Sequence, residues 1–317
     1  MLRFCNCLAH MLLPAAADEK VGALSLTAVL VALPDELLHL VVRQTYYSAL
    51  QPRVPVYLSS ASRGLRASLQ APLQQLKADH AAATALCSKM GLRSCKELRE
   101  AKDVLSHNRG LSAADLATLG RLGSVLPTLE TLLLIESSAG AAGPDGAQRL
   151  AEGLGAGALP TMTILTIDGV HVGDAGASEL AAALDRGALP RLKILALRSA
   201  AIGDNGLVAL TPALRRLPEL DKLILRGNPL GDVGLAALVA PPPAAGAPPT
   251  MGGLTLLNLR HTQVSNAGCA ALAAALDNGA LPALTSLCLL GIPASAAAQA
   301  ASVGGRGATV PQLVLWN

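Results

Sequence analysis

One segment recurs along the second half of this chain at intervals of about 30 residues. Five copies begin with leucine and proline, as LPTLETLLL, LPTMTILTI, LPRLKILAL, LPELDKLIL and LPALTSLCL. Seven copies align on one apolar position, at Leu129, Met162, Leu192, Leu220, Leu254, Leu284 and Val310. Because self-similarity at a fixed period is the signature of a repeat architecture, we expect stacked, similar units rather than one central core.

Within each copy, the apolar residues first recur every second position and then every third or fourth position. In LPRLKILALRSAAIGDNGLVALTPAL, a strand-like alternation is followed by a Gly-Asp-Asn-Gly turn and then by one apolar helix face. We expect the Asp or Asn of each turn to cap its own helix. Neighbouring strands lie about 4.8 Å apart and helices about 8–10 Å apart, so stacked units must curve. The predicted fold class is therefore α/β, a curved solenoid with a parallel sheet on the concave face and helices on the convex face.

This pattern resembles the leucine-rich repeat family, and the GDxG turn with its LAxAL helix is similar to the ribonuclease-inhibitor-like subclass. The resemblance covers residues 126–317, in about six to seven units, with a proline-rich insertion at 241–253. It implies a solenoid that binds proteins. The family's buried asparagine after the last strand leucine is matched only by Asn228. We expect looser turns where other residues replace it, at Ser137, Val170, Ala200, Thr262 and Ile292.

The preceding residues lack the repeat, and we expect a small all-α domain at 21–125 after a tail at 1–20. The helices LPDELLHLVV and YLSSASRGLRASL resemble an F-box, a module that binds the adaptor subunit of a cullin-based ubiquitin ligase. By this resemblance, the adaptor-docking residues are Leu33, Pro34, Leu37, Leu38 and Val41. The alternative is a helical cap that shields the open end of the solenoid. The tail has the faint shape of a targeting peptide, but Asn6 and His10 interrupt its apolar run.

Composition excludes several classes of function. A formal net charge of +3, no lysine- or arginine-rich run and 2% aromatic residues argue against nucleic-acid binding. The apolar run VGALSLTAVLVAL has 13 residues, whereas a membrane-spanning helix needs about 20. Six scattered cysteines indicate reduced thiols, which favours a cytoplasmic or nuclear protein. We expect a monomer without cofactor or metal, and no residue pattern indicates catalysis.

The most informative polar feature is an outward position that follows the last strand leucine of each repeat. Down the chain it reads Ile135, Asp168, Arg198, Arg226, Arg260, Leu290 and Trp316. We expect Glu136, Asp168 and Asp221 to dilute the positive charge of this column. The hypothesis is that arginine forks bind an acidic or phosphorylated segment of a protein partner. The candidate site residues are Asp168, Arg198, Arg226, Arg260, His261 and Trp316, and the alternative is an ordinary solvated sheet face.

Three functions are consistent with these patterns. The first is a non-enzymatic substrate-recognition subunit of a cullin-type ubiquitin ligase, in which the F-box-like helices dock the adaptor and the repeats bind the target. The second is a leucine-rich repeat binding protein without a ubiquitin link. The third is a Ran-type GTPase-activating regulator, whose family shares the repeat subclass. Such regulators carry an acidic C-terminal tail, whereas this chain ends in PQLVLWN, and no residue here is assigned to transition-state stabilisation.

Overall fold

The computed structural model describes residues 70–136, 142–143, 145–241, 251–304 and 314–316. The chain divides into two compact units, residues 1–81 and residues 82–317. The F-box-like segment at 33–41, the expected tail at 1–20 and residues 242–250 of the insertion lie outside the described residues. The fold described below is therefore that of the second unit, together with the first half of one helix.

Strands and helices alternate along most of the described chain. In order, the elements are α1 (Gln70–Lys89), α2 (Cys95–Glu100), β1 (Asp103–His107), α3 (Ala113–Leu122), a 3₁₀ turn (Gly123–Val125), β2 (Thr131–Ile135), α4 (Gly146–Gly153), β3 (Ile164–Asp168), α5 (Gly173–Asp185), β4 (Ile194–Arg198), α6 (Asp204–Leu214), β5 (Lys222–Ile224), α7 (Asp232–Val239), β6 (Leu256–Asn258), α8 (Asn266–Asp277), β7 (Ser286–Cys288), α9 (Ala296–Gly304) and β8 (Val314–Trp316).

The described strands form one parallel sheet of eight, in the order β1 to β8, so that each strand pairs with its neighbours in sequence. The predicted parallel sheet with one strand per repeat is confirmed. The six aligned apolar positions that the structure describes, at Leu129, Met162, Leu192, Leu220, Leu254 and Leu284, are at most 2% exposed. The position at Val310 lies outside the described residues.

The helices form a second layer, in which each helix from α3 to α9 packs against the next. Helices α3 and α4 pack closely at two glycines. A Cβ atom on Gly120 would lie 2.3 Å from the carbonyl oxygen of Leu150, and one on Gly153 would lie 2.8 Å from the amide nitrogen of Arg121. These two positions therefore require glycine. Alternate strand residues point toward this layer and are buried, as Leu132 and Leu134 are in β2. The intervening residues lie on the opposite, open face of the sheet, where Thr166 of β3 and Ala196 of β4 are buried as well.

The sheet begins earlier than the sequence indicates. Helix α2 ends at Glu100 and strand β1 follows at Asp103, so the expectation of an all-α segment up to residue 125 is wrong here. Strand β1 pairs in parallel with β2, and α3 packs on α4 as in the later repeats. The first repeat escaped detection because a serine, Ser106, fills an inward position at 1% exposure, where the other copies carry leucine or isoleucine.

An ion pair and a helix cap join α1 to α3. Ser112 and Asp115 form a capping box at the start of α3, in which each side chain binds the backbone amide of the other residue. The Lys89 ammonium, in the last turn of α1, lies 2.5 Å from the Asp115 carboxylate. Burial alone would raise the pKa of Asp115, but the hydrogen bonds from Lys89 and Ser112 outweigh it and hold the pKa below its usual value.

Candidate functional site

The turns between strand and helix determine how the open-face residues are presented, and side-chain bonds join these turns from one repeat to the next. An acceptor in the first turn of one helix binds the backbone amide at the start of the following helix. The four bonds are Asp174 Oδ1 to Gly203 N at 2.7 Å, Asp204 Oδ1 to Gly231 N at 2.7 Å, Asp232 Oδ1 to Ser265 N at 2.8 Å, and Asn266 Oδ1 to Ser295 N at 2.7 Å. We call these bonds the turn ladder. The expectation that each side chain caps its own helix is wrong, because the acceptor reaches the neighbouring repeat.

The turn ladder explains why the repeated motif ends in glycine. A Cβ atom on Gly206 would lie 2.6 Å from Asp174 Oδ1, and one on Gly234 would lie 2.8 Å from Asp204 Oδ1. On Gly268 the distance to the Asp232 carboxylate would be 2.2 Å. Real Cβ atoms do not approach this closely, so the last glycine of GDNG, GDVG and SNAG leaves room for the acceptor of the preceding repeat.

Asn228 stabilises one turn in the way that the sequence resemblance implies. Its side chain is buried, and Oδ1 accepts hydrogen bonds from the amides of Ala200 at 3.1 Å and Ile202 at 3.0 Å. Its Nδ2 donates to the carbonyls of Leu197 and Leu225 at 2.7 Å. Five equivalent turn residues share a positive φ, at 72° for Gly169, 46° for Ser199, 76° for Gly227, 55° for His261 and 75° for Gly291. The expected loosening of the turns without this asparagine stays a prediction.

The predicted column of outward residues exists from Ile135 to Leu290. Each following residue donates its amide to the carbonyl of the column residue in the next repeat. The bonds run from Glu136 N to Asp168 O (2.8 Å), Gly169 N to Arg198 O (3.1 Å), Ser199 N to Arg226 O (2.9 Å), Gly227 N to Arg260 O (2.8 Å) and His261 N to Leu290 O (2.9 Å). We call the six residues Ile135, Asp168, Arg198, Arg226, Arg260 and Leu290 the arginine row.

Trp316 does not belong to this row. Its Cα partner is Cys288, two residues before Leu290, so Trp316 occupies a register position shared with Asn258 and Ile224. The sequence alignment of the last copy was therefore wrong by two residues. That copy, ATVPQLVLW, lacks the leucine-proline start, and its alignment on Val310 gave the shortest repeat of the series.

The charges of the arginine row are not equivalent. The Arg198 Nη1 atom lies 3.8 Å from Asp168 Oδ2, and both side chains are about one-third exposed. Within the described part of the chain, no carboxylate lies within 4.0 Å of Arg226 or Arg260. Arg226 is exposed and Arg260 is half-buried, and the Arg260 Nε atom is buried with no hydrogen-bond partner among the described residues. Arg226 and Arg260 are thus the two cations of the row that remain available to an anion.

Two of the acidic residues expected to weaken this charge have other roles. The Glu136 side chain is 8% exposed and accepts hydrogen bonds from the amides of Arg109, Gly110 and Leu111 at 3.2–3.4 Å. It therefore belongs to the turn of the first repeat rather than to the open face. The Asp221 carboxylate accepts a short hydrogen bond from the Thr255 hydroxyl. Of these three acidic residues, Asp168 alone pairs with a cation of the arginine row within the part of the chain that the structure describes.

His261 lies beside the C-terminal end of the row. Its side chain is exposed, and its ring packs over the neighbouring turn, since a Cβ atom on Gly291 would lie 2.3 Å from His261 Nδ1.

Arg260 also influences the thiol of Cys288, which lies on the next strand, β7. Burial raises the pKa of Cys288, and the guanidinium of Arg260 partly opposes this rise. The structure therefore brings Arg260, His261 and Cys288 into one area of the open face.

The sequence reasoning missed an apolar surface on the same face. Several strand positions before the arginine row carry apolar side chains that are exposed or half-buried, and Leu105 is 62% exposed. Strand register pairs Leu105 with Leu133 and Ile164 with Ile194. Two neighbouring register rows, which also contain Thr166, Ala196 and Lys222, hold these apolar side chains. We call them the apolar strip, made of Leu105, Leu133, Ile164, Ile194, Ile224 and Leu256. The signal was present in strands such as LLLI and ILAL, which are apolar at every position instead of alternating with polar residues.

No group of three or more His, Cys, Asp or Glu residues suited to a metal ion occurs among the described residues. In the same residues, no helix has both the length and the apolar character that crossing a membrane requires.

Comparison with known proteins supports the repeat assignment. Residues 189–210, 220–239 and 254–273 match a family model described as Leucine Rich repeat. These three segments coincide with β4 to α6, β5 to α7 and β6 to α8, so the predicted leucine-rich repeats are confirmed in this part of the chain. No curated protein matches the chain.

Proposed function

We propose that this leucine-rich repeat protein is a non-enzymatic protein-binding scaffold, whose open sheet face binds an acidic or phosphorylated segment of a partner. The observation that carries this proposal is the pair Arg226 and Arg260, which lie on successive repeats and lack a carboxylate partner within the described residues. Neighbouring strands are about 4.8 Å apart, so two guanidinium groups on this spacing can bind one phosphate or two carboxylates of an extended segment.

The Asp168–Arg198 pair limits where such an anion binds. Because Arg198 already lies near a carboxylate, its charge is partly compensated. An incoming anion at that position also meets the repulsion of Asp168. We therefore place the anion at Arg226 and Arg260, with His261 at the edge of the same site.

The apolar strip supplies the larger part of the binding free energy in this proposal. Exposed ion pairs contribute about 0–1 kcal/mol, whereas burial of one large aliphatic side chain contributes about 1.5–3 kcal/mol. The strip residues are half-buried apart from the exposed Leu105, and apolar side chains that stay open to a partner are typical of an interaction site. We expect the partner to place apolar side chains on Ile194, Ile224 and Leu256 and its acidic group on the two arginines. Trp316, at the β8 end of the same face by register, is a candidate aromatic anchor.

A displayed library of acidic, phosphorylated and neutral peptides tests this proposal on the full chain. We expect enrichment of acidic or phosphorylated sequences that also contain aliphatic residues. The double variant Arg226→Glu/Arg260→Glu should lose this enrichment. The matched control is Arg93→Glu, which reverses an exposed charge in the turn before α2. Equal enrichment by the double variant and by the unaltered chain would overturn the assignment of the site.

The finer proposal is that the partner is a substrate for ubiquitination. Its support is the F-box-like sequence of the helices LPDELLHLVV and YLSSASRGLRASL, in the first of which Leu37 and Leu38 would contact the adaptor subunit of a cullin-type ligase. Co-purification of the full chain with such an adaptor tests it. We expect Leu37→Asp/Leu38→Asp to abolish the complex, while Leu105→Asp, at an exposed leucine of the apolar strip, leaves it intact. No complex with the unaltered chain would favour the helical-cap interpretation.

The GTPase-activating alternative has a separate measurement. We expect the GTP hydrolysis rate of a Ran-type GTPase to be unchanged when the full chain is added, since no residue of the arginine row is placed to act on a nucleotide. An accelerated rate would favour that alternative over a simple binding scaffold.

A further inference from the structure

Two cysteine side chains meet at the start of the second compact unit. Cys87 lies in the last turn of α1, and Cys95 is the first residue of α2. Their sulfur atoms are 3.9 Å apart, with the Cys87 thiol donating a hydrogen bond to Cys95 Sγ. The two residues are 1% and 6% exposed. The other two described cysteines, Cys269 in α8 and Cys288 in β7, are on separate repeats.

The two thiols are in different environments. Burial raises the pKa of Cys87 to about 12, and the adjacent Cys95 adds to the rise, so Cys87 keeps its proton. That proton points at Cys95 Sγ, and the Thr84 hydroxyl lies 3.5 Å from the same sulfur. Cys95 is the more exposed of the two residues, at 6% against 1%, and its sulfur accepts the hydrogen bond, so Cys95 is the sulfur better placed to attack an electrophile.

We propose that Cys87 and Cys95 form a redox-active dithiol that closes to a disulfide when the chain meets a small hydroperoxide such as hydrogen peroxide. Cys95 Sγ attacks one peroxide oxygen, the O–O bond breaks, and the leaving hydroxide takes the Cys95 proton, which gives a sulfenic acid and water. Cys87 Sγ then attacks the Cys95 sulfur, the S–O bond breaks, and the departing hydroxide takes the Cys87 proton. In total, two thiols are oxidised to one disulfide and the peroxide is reduced to two waters.

Once Cys95 has been oxidised, the short distance between the two sulfurs favours a disulfide over a stable sulfenic acid. A disulfide requires the sulfurs to move from 3.9 Å to about 2.05 Å, a short approach for two side chains already in contact. The connecting residues 88–94 include Gly91 at a φ of 80°, so the chain turns back on itself between the two thiols. A buried second thiol next to the first captures the sulfenic acid before further oxidation.

The disulfide fastens the end of α1 to the start of α2. In the reduced chain, the backbone bonds of Met90 to Leu86 and of Leu92 to Cys87 hold this turn together. The covalent link removes chain freedom from the opened state of the turn, so we expect slower amide exchange of these two residues after oxidation. The pair would thus make the helix before the first repeat sensitive to oxidants.

The test uses the full chain with Cys5→Ser and Cys7→Ser, which removes the two thiols outside the described residues. The folded chain is treated with increasing concentrations of hydrogen peroxide, and the remaining thiols are alkylated. The chain is then digested, and the peptide masses are measured by mass spectrometry. We expect Cys87 and Cys95 in one cross-linked species about 2 Da lighter than the two thiol peptides, restored by a dithiol reductant. Cys269 and Cys288 should stay alkylatable after unfolding. Cys269→Ala is the matched control and should still form the cross-link.

Three outcomes decide the proposal. Replacement of the partner thiol by Cys87→Ser should let a sulfenic acid accumulate at Cys95, detected with a dimedone probe. Oxidation of Cys95 to a sulfinic acid in the unaltered pair, without a cross-link, would overturn the proposal. So would a chain whose four remaining thiols all survive peroxide that oxidises the unfolded chain. The mass measurement is made on the natural pair, so poor folding of a serine variant does not affect it.

Discussion

The Asp204 carboxylate accepts a hydrogen bond at 2.7 Å from the amide of Gly231, which begins the helix of the next repeat. The same oxygen accepts a second bond at 2.8 Å from Gly234. One carboxylate oxygen therefore accepts hydrogen bonds from two of the backbone amides that have no partner within the first turn of α7. Because the acceptor and the helix belong to different repeats, the bond fixes how the two repeats stack. The turn ladder couples the stability of each repeat to that of its neighbour.

Removal of this bond should destabilise the array. We expect Asp204→Ala to lower the free energy of unfolding by about 1–2 kcal/mol, because two amides at a helix start lose their acceptor. Asp204→Asn keeps an Oδ1 acceptor and should lower it less. Urea unfolding followed by circular dichroism measures both. Asp277→Ala, at an exposed residue of α8, is the control and should change little.

The glycine of the SNAG turn should show the reverse of ordinary helix propensity. In an open helix, Gly→Ala stabilises by up to about 1 kcal/mol, but a methyl group on Gly268 would meet the Asp232 carboxylate at 2.2 Å. We expect Gly268→Ala to destabilise the chain, and to do so less in an Asp232→Ala background. A double-mutant cycle measures this coupling, and additive effects would contradict the proposed contact.

Acid should weaken the link between α1 and α3. The pKa of Asp115 is lowered in the folded chain, since the bonds from Lys89 and Ser112 outweigh the effect of burial. The stabilisation is then fully present above the unfolded pKa of about 3.9 and is lost as pH falls through the folded value. We expect Asp115→Asn to be less stable than the unaltered chain at neutral pH, with the difference shrinking below about pH 4. If the difference in stability between the variant and the unaltered chain stayed constant across this pH range, the lowered pKa of Asp115 would be contradicted.

The arginines should differ in their effect on binding. Once an acidic peptide has been selected on the open face, we expect Arg226→Ala to weaken its binding more than Arg198→Ala, because Arg198 lies near Asp168. The affinity should also fall as salt is raised, since exposed charges are screened over about 8–10 Å at physiological ionic strength. Fluorescence anisotropy measures both effects. An equal loss for the two variants would mean that the anion spans the whole row.

An exposed apolar residue on the helix layer provides a control for the apolar strip in a binding measurement. Leu105 is 62% exposed on the open face, and Val233 is 66% exposed on α7. We expect Leu105→Asp to weaken capture of a selected partner and Val233→Asp to leave it unchanged. Both variants should keep their unfolding midpoints within a small margin, since surface changes are usually within about 0.5 kcal/mol. Equal effects on capture would place the binding surface elsewhere.

Much of the fold could be predicted because each repeat carries its own pattern. Leu192, Leu195 and Leu197 recur in every unit as a local signal, and stacking of such units leaves little freedom in topology. The first repeat was missed because Ser106 interrupts that signal, and the last was misaligned because its copy lacks the leucine-proline start. Part of the open face could be predicted, since the arginine row follows from the strand positions. The apolar strip, and which of the three acidic residues would pair with an arginine, could not be predicted.

The sequence by itself determined the period, the alternation of strand and helix, and the residues that face the open side of the sheet. These properties depend on the spacing of apolar residues within a unit, which is local. The tertiary structure decided that Asp174, Asp204 and Asp232 bind the next repeat, and that Trp316 lies opposite Cys288. Each of these contacts joins residues about 30 positions apart, and their register is set by how neighbouring repeats stack, which no single repeat encodes.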